Sequence, residues 1–132
     1  SGAAKHPDNV AGRVLTRVIG HYEDRGTIMF DSGATALTKE TTPQGMYFEI
    51  PNAPHLECYK MCQEITLVRH KNYPNEPFPF QDFPLGSMVN VLPNHSCLAA
   101  ACFDRYYVID DNTSSFSPDE IIVDEWIPAR GW

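Results

Sequence analysis

The stretch RVLTRVIGHYEDRGTIMFDSG, residues 13–33, decides the fold. Val14, Thr16 and Val18 alternate with Leu15, Arg17 and Ile19. Successive side chains of a strand point to opposite faces, and β-branched residues suit a pleated surface, so this run predicts a strand. GTIMFDSG predicts a second strand, with Glu23-Asp24-Arg25-Gly26 as the turn between them. The pair reads as an antiparallel hairpin. Asp31-Ser32-Gly33 then closes it in a tight loop, a turn composition rather than a substrate site.

Working outward, ATALTKETTPQG (34–45) predicts one helical turn before Pro43, and MYFEI (46–50) a short strand. HLECYKMCQEITLVRHK (55–71) admits two readings. Leu56, Tyr59 and Cys62 fit one face of a helix, and two strands broken near Tyr59 fit equally; the β-branched content favours strand for ITLVR. YPNEPFPFQDFP (73–84) holds four of the eleven prolines and predicts an extended loop. SMVNVL (87–92), FDRYYVID (103–110) and EIIVDEWIPARGW supply further strands, with DNTSSFSPD (111–119) as a polar loop. Roughly seven strand signals, with one or two short helices, predict a mostly β fold: a compact antiparallel β-barrel or sandwich. Residues 1–12 read as a flexible lead-in, and Ser1-Gly2 as the scar of a cleaved tag.

The 132 residues suffice for one domain, and 42% hydrophobic with 20% charged residues is ordinary for a folded protein. The formal charge of -7 argues against nucleic acid or an anionic membrane as partner, since both need a basic face. No apolar run approaches the length of a membrane span. A barrel enzyme needs about 250 residues, so the chain is expected to be at most part of one.

Four cysteines, at 58, 62, 97 and 102, form no CxxC pair, which argues against a zinc ribbon or a thioredoxin motif. Sparse cysteine predicts reduced thiols and a cytoplasmic protein. Leu92-Pro93-Asn94-His95-Ser96-Cys97 is the segment richest in chemistry. On an extended stretch His95 and Cys97 point to the same side. An imidazole and a thiolate there suit Zn²⁺, and two ligands leave positions for water or substrate. Chance occurrence of HxC and simple burial of the thiol are the plain alternative. Cys58 and Cys62, four apart on a helix, would complete a closed Cys₃His site; packing is the commoner role for them. His21, His55 and His70 are expected to pack or face solvent. Of Tyr106 and Tyr107 one is expected inside and one outside, and Trp126 and Trp132 are expected to pin the tail by burial. Asp110-Asp111 and Asp119-Glu120 lack calcium-loop spacing and predict a solvated loop. Nucleophile-elbow, zincin and phosphate-loop motifs are missing.

LPNHSCLAAACFDRYYV (92–108) resembles the C-terminal domain of the eukaryotic-type D-serine dehydratases. These are relatives of D-threonine aldolase among the fold type III pyridoxal-phosphate enzymes, the alanine racemase group. VLTRVIGHYEDR and MFDSGATALTKE look like the segment that opens that domain, MCQE (61–64) falls at a family Gln-Glu step, and FQDFPLGSMVNVLPNHSC and VDEWIPARGW match in order. The likeness runs over 13–132. It implies that the fold is that of the C-terminal domain of the alanine racemase group. It implies that His95 and Cys97 are the two protein ligands of a Zn²⁺; in the aldolases the second ligand is an aspartate, so Cys97 favours the dehydratase branch. The pyridoxal-phosphate lysine is expected in an N-terminal barrel domain of the same protein, absent from this chain, so the domain is expected to be inactive alone and homodimeric when full length.

The activity implied is β-elimination from D-serine or a related D-3-hydroxy amino acid, giving a keto acid and ammonia. Zinc would act as a Lewis acid on the β-hydroxyl, and the metal would favour the Cys97 thiolate. A D-threonine aldolase-type lyase domain and a degenerate, non-catalytic binding module are the alternatives. The second is favoured by one departure: the family follows its Gln-Glu step with His-Gly, whereas Gln63-Glu64 is followed by Ile65-Thr66.

Overall fold

The structure is a computed structural model that describes residues 10–110 and 120–129. Ser1-Gly2, the polar loop expected at 111–119 with Asp111 and Asp119, and Trp132 lie outside the described residues.

The expected hairpin forms. β1 (Val14–Tyr22) pairs antiparallel with β2 (Thr27–Phe30) through a 3-10 turn, Glu23–Arg25. The turn ends on Gly26, whose φ of 57° is the left-handed conformation that glycine adopts without steric cost. Thr16 and Val18 are buried while Leu15 and Arg17 are exposed, the alternation that the β-branched pattern predicts. A bulge between Val18 and Gly20 interrupts the register at Ile19, which is exposed.

β3 (Phe48–Glu49), β4 (Leu56–Met61), β5 (Thr66–His70) and β6 (Met88–Pro93) complete an antiparallel sheet in the order β3-β6-β1-β2-β5-β4. Its end strands, β3 and β4, come into contact, so the sheet is a nearly closed six-stranded barrel. Two short helices, α1 (Ala34–Leu37) and α2 (Ser96–Ala100), decorate it. β7 (Tyr106–Ile109) and β8 (Ile122–Trp126) form a separate two-stranded ribbon. Segment 55–71 thus holds two strands, and its helical reading is wrong. The break lies at 62–65, where the Cys62 N–H donates to the Ile65 carbonyl at 2.9 Å. Tyr59 marks a bulge instead, in the register shift between Cys58 and Lys60.

The barrel interior is filled by Val18, Ile28, Phe30, Phe48, Val68 and Val91, with Leu37 closing one side from α1. The rings of Phe30 and Phe48 lie 6.3 Å apart and tilted, an edge-leaning contact that aromatic quadrupoles favour. The proline-rich loop also packs inward: Phe78 and Phe83 are buried, their ring centroids 5.7 Å apart. His21 packs on Phe80 at 5.3 Å and donates from Nε2 to the Phe83 carbonyl. Asp31-Ser32 is a cross-link within the hairpin. The Asp31 carboxylate accepts from the Thr16 hydroxyl and the Arg17 N–H, both at 2.9 Å, and Ser32 Oγ lies 2.7 Å from Thr16 Oγ1.

The next residue has no room for a side chain. A Cβ on Gly33 would stand 2.6 Å from the Cys62 carbonyl oxygen and 2.6 Å from the Ile65 nitrogen. Both are backbone atoms of the β4–β5 turn and cannot rotate away. Gly33→Ala should therefore lower stability by about 2 kcal/mol or more, within the range of severe core overpacking, read as a lower urea midpoint. Thr66 gives the opposite expectation. It is fully buried, and its hydroxyl has no hydrogen-bond partner. Thr66→Val keeps the shape and removes the unpaired group, so the midpoint should rise by the equivalent of about 1 kcal/mol.

Candidate metal centre

β6 ends at Pro93 and delivers Asn94, His95 and Cys97 to one corner of the barrel. The Asn94 N–H donates to the Tyr47 carbonyl at 3.4 Å. His95 is the N-cap of α2, at φ -123° and ψ 93°, and Cys97 lies in the first turn. The run Leu98-Ala99-Ala100 carries the strongest helix formers, which explains a helix here. Ala99 is buried and its N–H donates to the His95 carbonyl at 3.0 Å, which seats the turn. The expectation that His95 and Cys97 lie on one extended stretch is therefore corrected, because the backbone turns helical between them. They remain on a single turn, with Cys97 exposed and the His95 side chain 39% accessible.

Facing this turn is the segment after α1. His95 Nδ1 is paired with the Glu40 carboxylate. The Asn94 side-chain amide donates to the Glu40 backbone carbonyl at 3.2 Å. Two residues upstream, Thr38 sits at φ 63° and ψ 164°, a region essentially restricted to glycine. Its hydroxyl is buried without a partner. Such a conformation costs about 1–3 kcal/mol. Glu40 and Thr38 escape the sequence reading. No local spacing links residues 55 apart, and a strained backbone leaves no mark in residue type.

The other candidate groups stay apart. Cys58 faces the core of β4, and burial pushes its thiol up to about 12, so it is protonated at neutral pH. Cys62 sits at the β4–β5 turn, not one helical turn from Cys58. His55 and His70 pack against each other, their tilted rings 5.4 Å apart. Among the described residues no three His, Cys, Asp or Glu side chains gather into a metal cage. The closed Cys₃His arrangement is not formed. His95 and Cys97 fit a different kind of site, in which one imidazole and one thiolate hold a borderline-soft ion and its remaining positions stay open.

α2 also meets the ribbon. The Tyr106 hydroxyl donates to the Ala100 carbonyl at 2.9 Å, and Tyr107 faces out. Trp126, expected to be buried, is 59% exposed, its indole N–H donating to the Asp124 carboxylate. Tyr107, Ile121, Ile122, Val123 and Ile127 are exposed as well. No helix among the described residues is long and apolar enough to cross a membrane.

Residues 11–109 match the family model of the serine dehydratase domain. D-serine dehydratase of Schizosaccharomyces pombe is 31% identical over 132 residues, covering 94% of this chain and 28% of that protein. The chain thus spans less than a third of that relative's length. D-threo-3-hydroxyaspartate dehydratase from Delftia sp. HT23 shares the fold at a TM-score of 0.76 and 24% identity, covering 98% of this chain and 35% of that one. Two variants of that dehydratase superpose similarly. In one a cysteine is replaced by alanine and the protein is in a metal-free form; in the other a histidine two positions earlier is replaced. An alanine racemase-like protein from Idiomarina loihiensis superposes at a TM-score of 0.67 and 25% identity, over 91% of this chain and 32% of that one.

The thiols differ in burial enough to be told apart chemically. In the folded protein iodoacetamide should modify Cys97 and Cys102 and leave Cys58 intact until denaturant is added, as peptide mass spectrometry will show.

Proposed function

Because the chain belongs to the serine dehydratase domain family, we propose that residues 13–132 are the metal-bearing C-terminal β-domain of a D-serine dehydratase-like lyase. The substrate is D-serine or a related D-3-hydroxy amino acid, and the products are a keto acid and ammonia. The strongest support is the turn itself: His95 and Cys97, two residues apart, stand on one solvent-facing corner seated by Ala99. The same two residue types at the same separation are those changed in the D-threo-3-hydroxyaspartate dehydratase variants, and the cysteine variant is metal-free.

In this role His95 and Cys97 hold Zn²⁺. Bound there, zinc supplies Lewis acidity to the substrate β-hydroxyl, otherwise a poor leaving group. Pyridoxal phosphate, held by an N-terminal barrel domain of the same protein, supplies the electron sink for loss of the α-proton. The work of this domain is to bind and to orient. α2 keeps Cys97 exposed, where its sulfur is open to coordination. Asn94 ties the turn to the segment after α1 through the Glu40 carbonyl. The apolar ribbon of β7 and β8 is a surface that a barrel domain or a second subunit of a homodimer would cover. Four cysteines with no disulfide between them accord with a cytoplasmic protein.

A non-catalytic module is the second reading, favoured by Ile65 and Thr66. Thr66 is a core residue of β5 here, and Ile65 closes the β4–β5 turn, so neither offers a polar group to a cleft.

One experiment separates the readings. In the complete protein, Cys97→Ala should lose zinc by metal analysis, and formation of keto acid from D-serine should fall about 100-fold or more, the scale of a lost Lewis acid. Elimination unchanged in that variant overturns the zinc mechanism. Glycine and acetaldehyde from D-threonine would mark an aldolase, and a wild-type protein with neither zinc nor turnover would mark a binding module.

A further inference from the structure

We propose that Glu40 is a positioning residue for the metal site: its carboxylate holds His95 with the proton on Nδ1, so that Nε2 presents its lone pair to the metal. The inference rests on the metal-binding role of His95 proposed above and adds to it a residue from a distant part of the chain.

The argument begins with donors and acceptors. An ionised carboxylate only accepts hydrogen bonds, so the ring nitrogen that meets it must carry a proton. In the structure that nitrogen is Nδ1. A neutral imidazole has one N–H and one lone pair, so fixing the proton on Nδ1 leaves Nε2 free to ligate. Metal-bound histidines commonly donate their second nitrogen to a carboxylate in this way.

The backbone that carries Glu40 is itself held in place. α1 is docked by the Ala34 N–H on the Cys62 carbonyl and the Thr35 N–H on the Gln63 carbonyl, each at 3.0 Å. Thr38, in its glycine-like conformation, redirects the chain from the end of α1. Asn94, the neighbour of His95, then grips the backbone of Glu40. The two partners are therefore tied together by backbone as well as side chain.

The test uses the complete protein with ¹⁵N-labelled histidine. In the metal-free wild type, long-range ¹H–¹⁵N correlation should report His95 as the Nδ1–H tautomer, and Glu40→Ala should lose that preference with its thermal midpoint little changed. Zinc affinity, measured by competition with a chromophoric chelator, should fall about 10- to 100-fold in Glu40→Ala, and less in Glu40→Gln, whose amide oxygen still accepts from Nδ1. The absorption bands of Co²⁺ in the site should shift in the same order. If Glu40→Ala binds zinc within about twofold of wild type while His95→Ala has lost it, the positioning role is overturned and the metal reading stands. If His95→Ala binds as wild type does, the metal reading falls, and the tautomer measurement still reports whether Glu40 orders the ring.

Discussion

At Gly33 two backbones meet with no space for a methyl group. The first turn of α1 presses against the β4–β5 turn there, and its leading N–H groups are satisfied by carbonyls of that turn rather than by a capping side chain. Helix ends must place such groups somewhere. Placing them on another loop's backbone fixes the direction of α1 more firmly than a local cap would. From that direction follow the burial of Leu37 against the barrel, the abrupt change of course at Thr38, and the arrival of Glu40 beside His95. One missing Cβ thus sets the geometry of a corner formed by three separate parts of the chain.

The barrel was largely legible and the corner was not, for reasons that can be traced to particular residues. Thr16 and Val18 inward, Leu15 and Arg17 outward, is a period of two that no helix reproduces. In β4 the bulge at Tyr59 spoils that period. The buried residues fall at Leu56, Cys58 and Met61, a spacing of two and then three, which is why the alternation is not visible and Leu56, Tyr59 and Cys62 could be read as a helical face. The start of α2 is masked in the sequence by the polar Asn-His-Ser-Cys step; the helical signal lies in the alanines after it. The burial expected of Trp126 failed because aromatic character says nothing about whether the covering surface is supplied by the same chain.

The cysteines show how environment divides one chemistry into two. Cys58 lies in the barrel wall, where low polarity keeps the thiol neutral and its weak hydrogen bond goes to the Lys60 carbonyl. It behaves as a small apolar residue. Cys97 stands on the solvent side of α2. The fold, not the count of four thiols, decides which of them is available for coordination.

The β7–β8 ribbon has every residue of β8 exposed, and an isolated pair of strands is marginal in water. It is nevertheless fastened to α2 by the Tyr106–Ala100 hydrogen bond. The ribbon and the helix that carries Cys97 are thus mechanically joined. A surface laid over the exposed apolar residues of β8 would steady not only the two strands but, through that bond, the end of α2 as well.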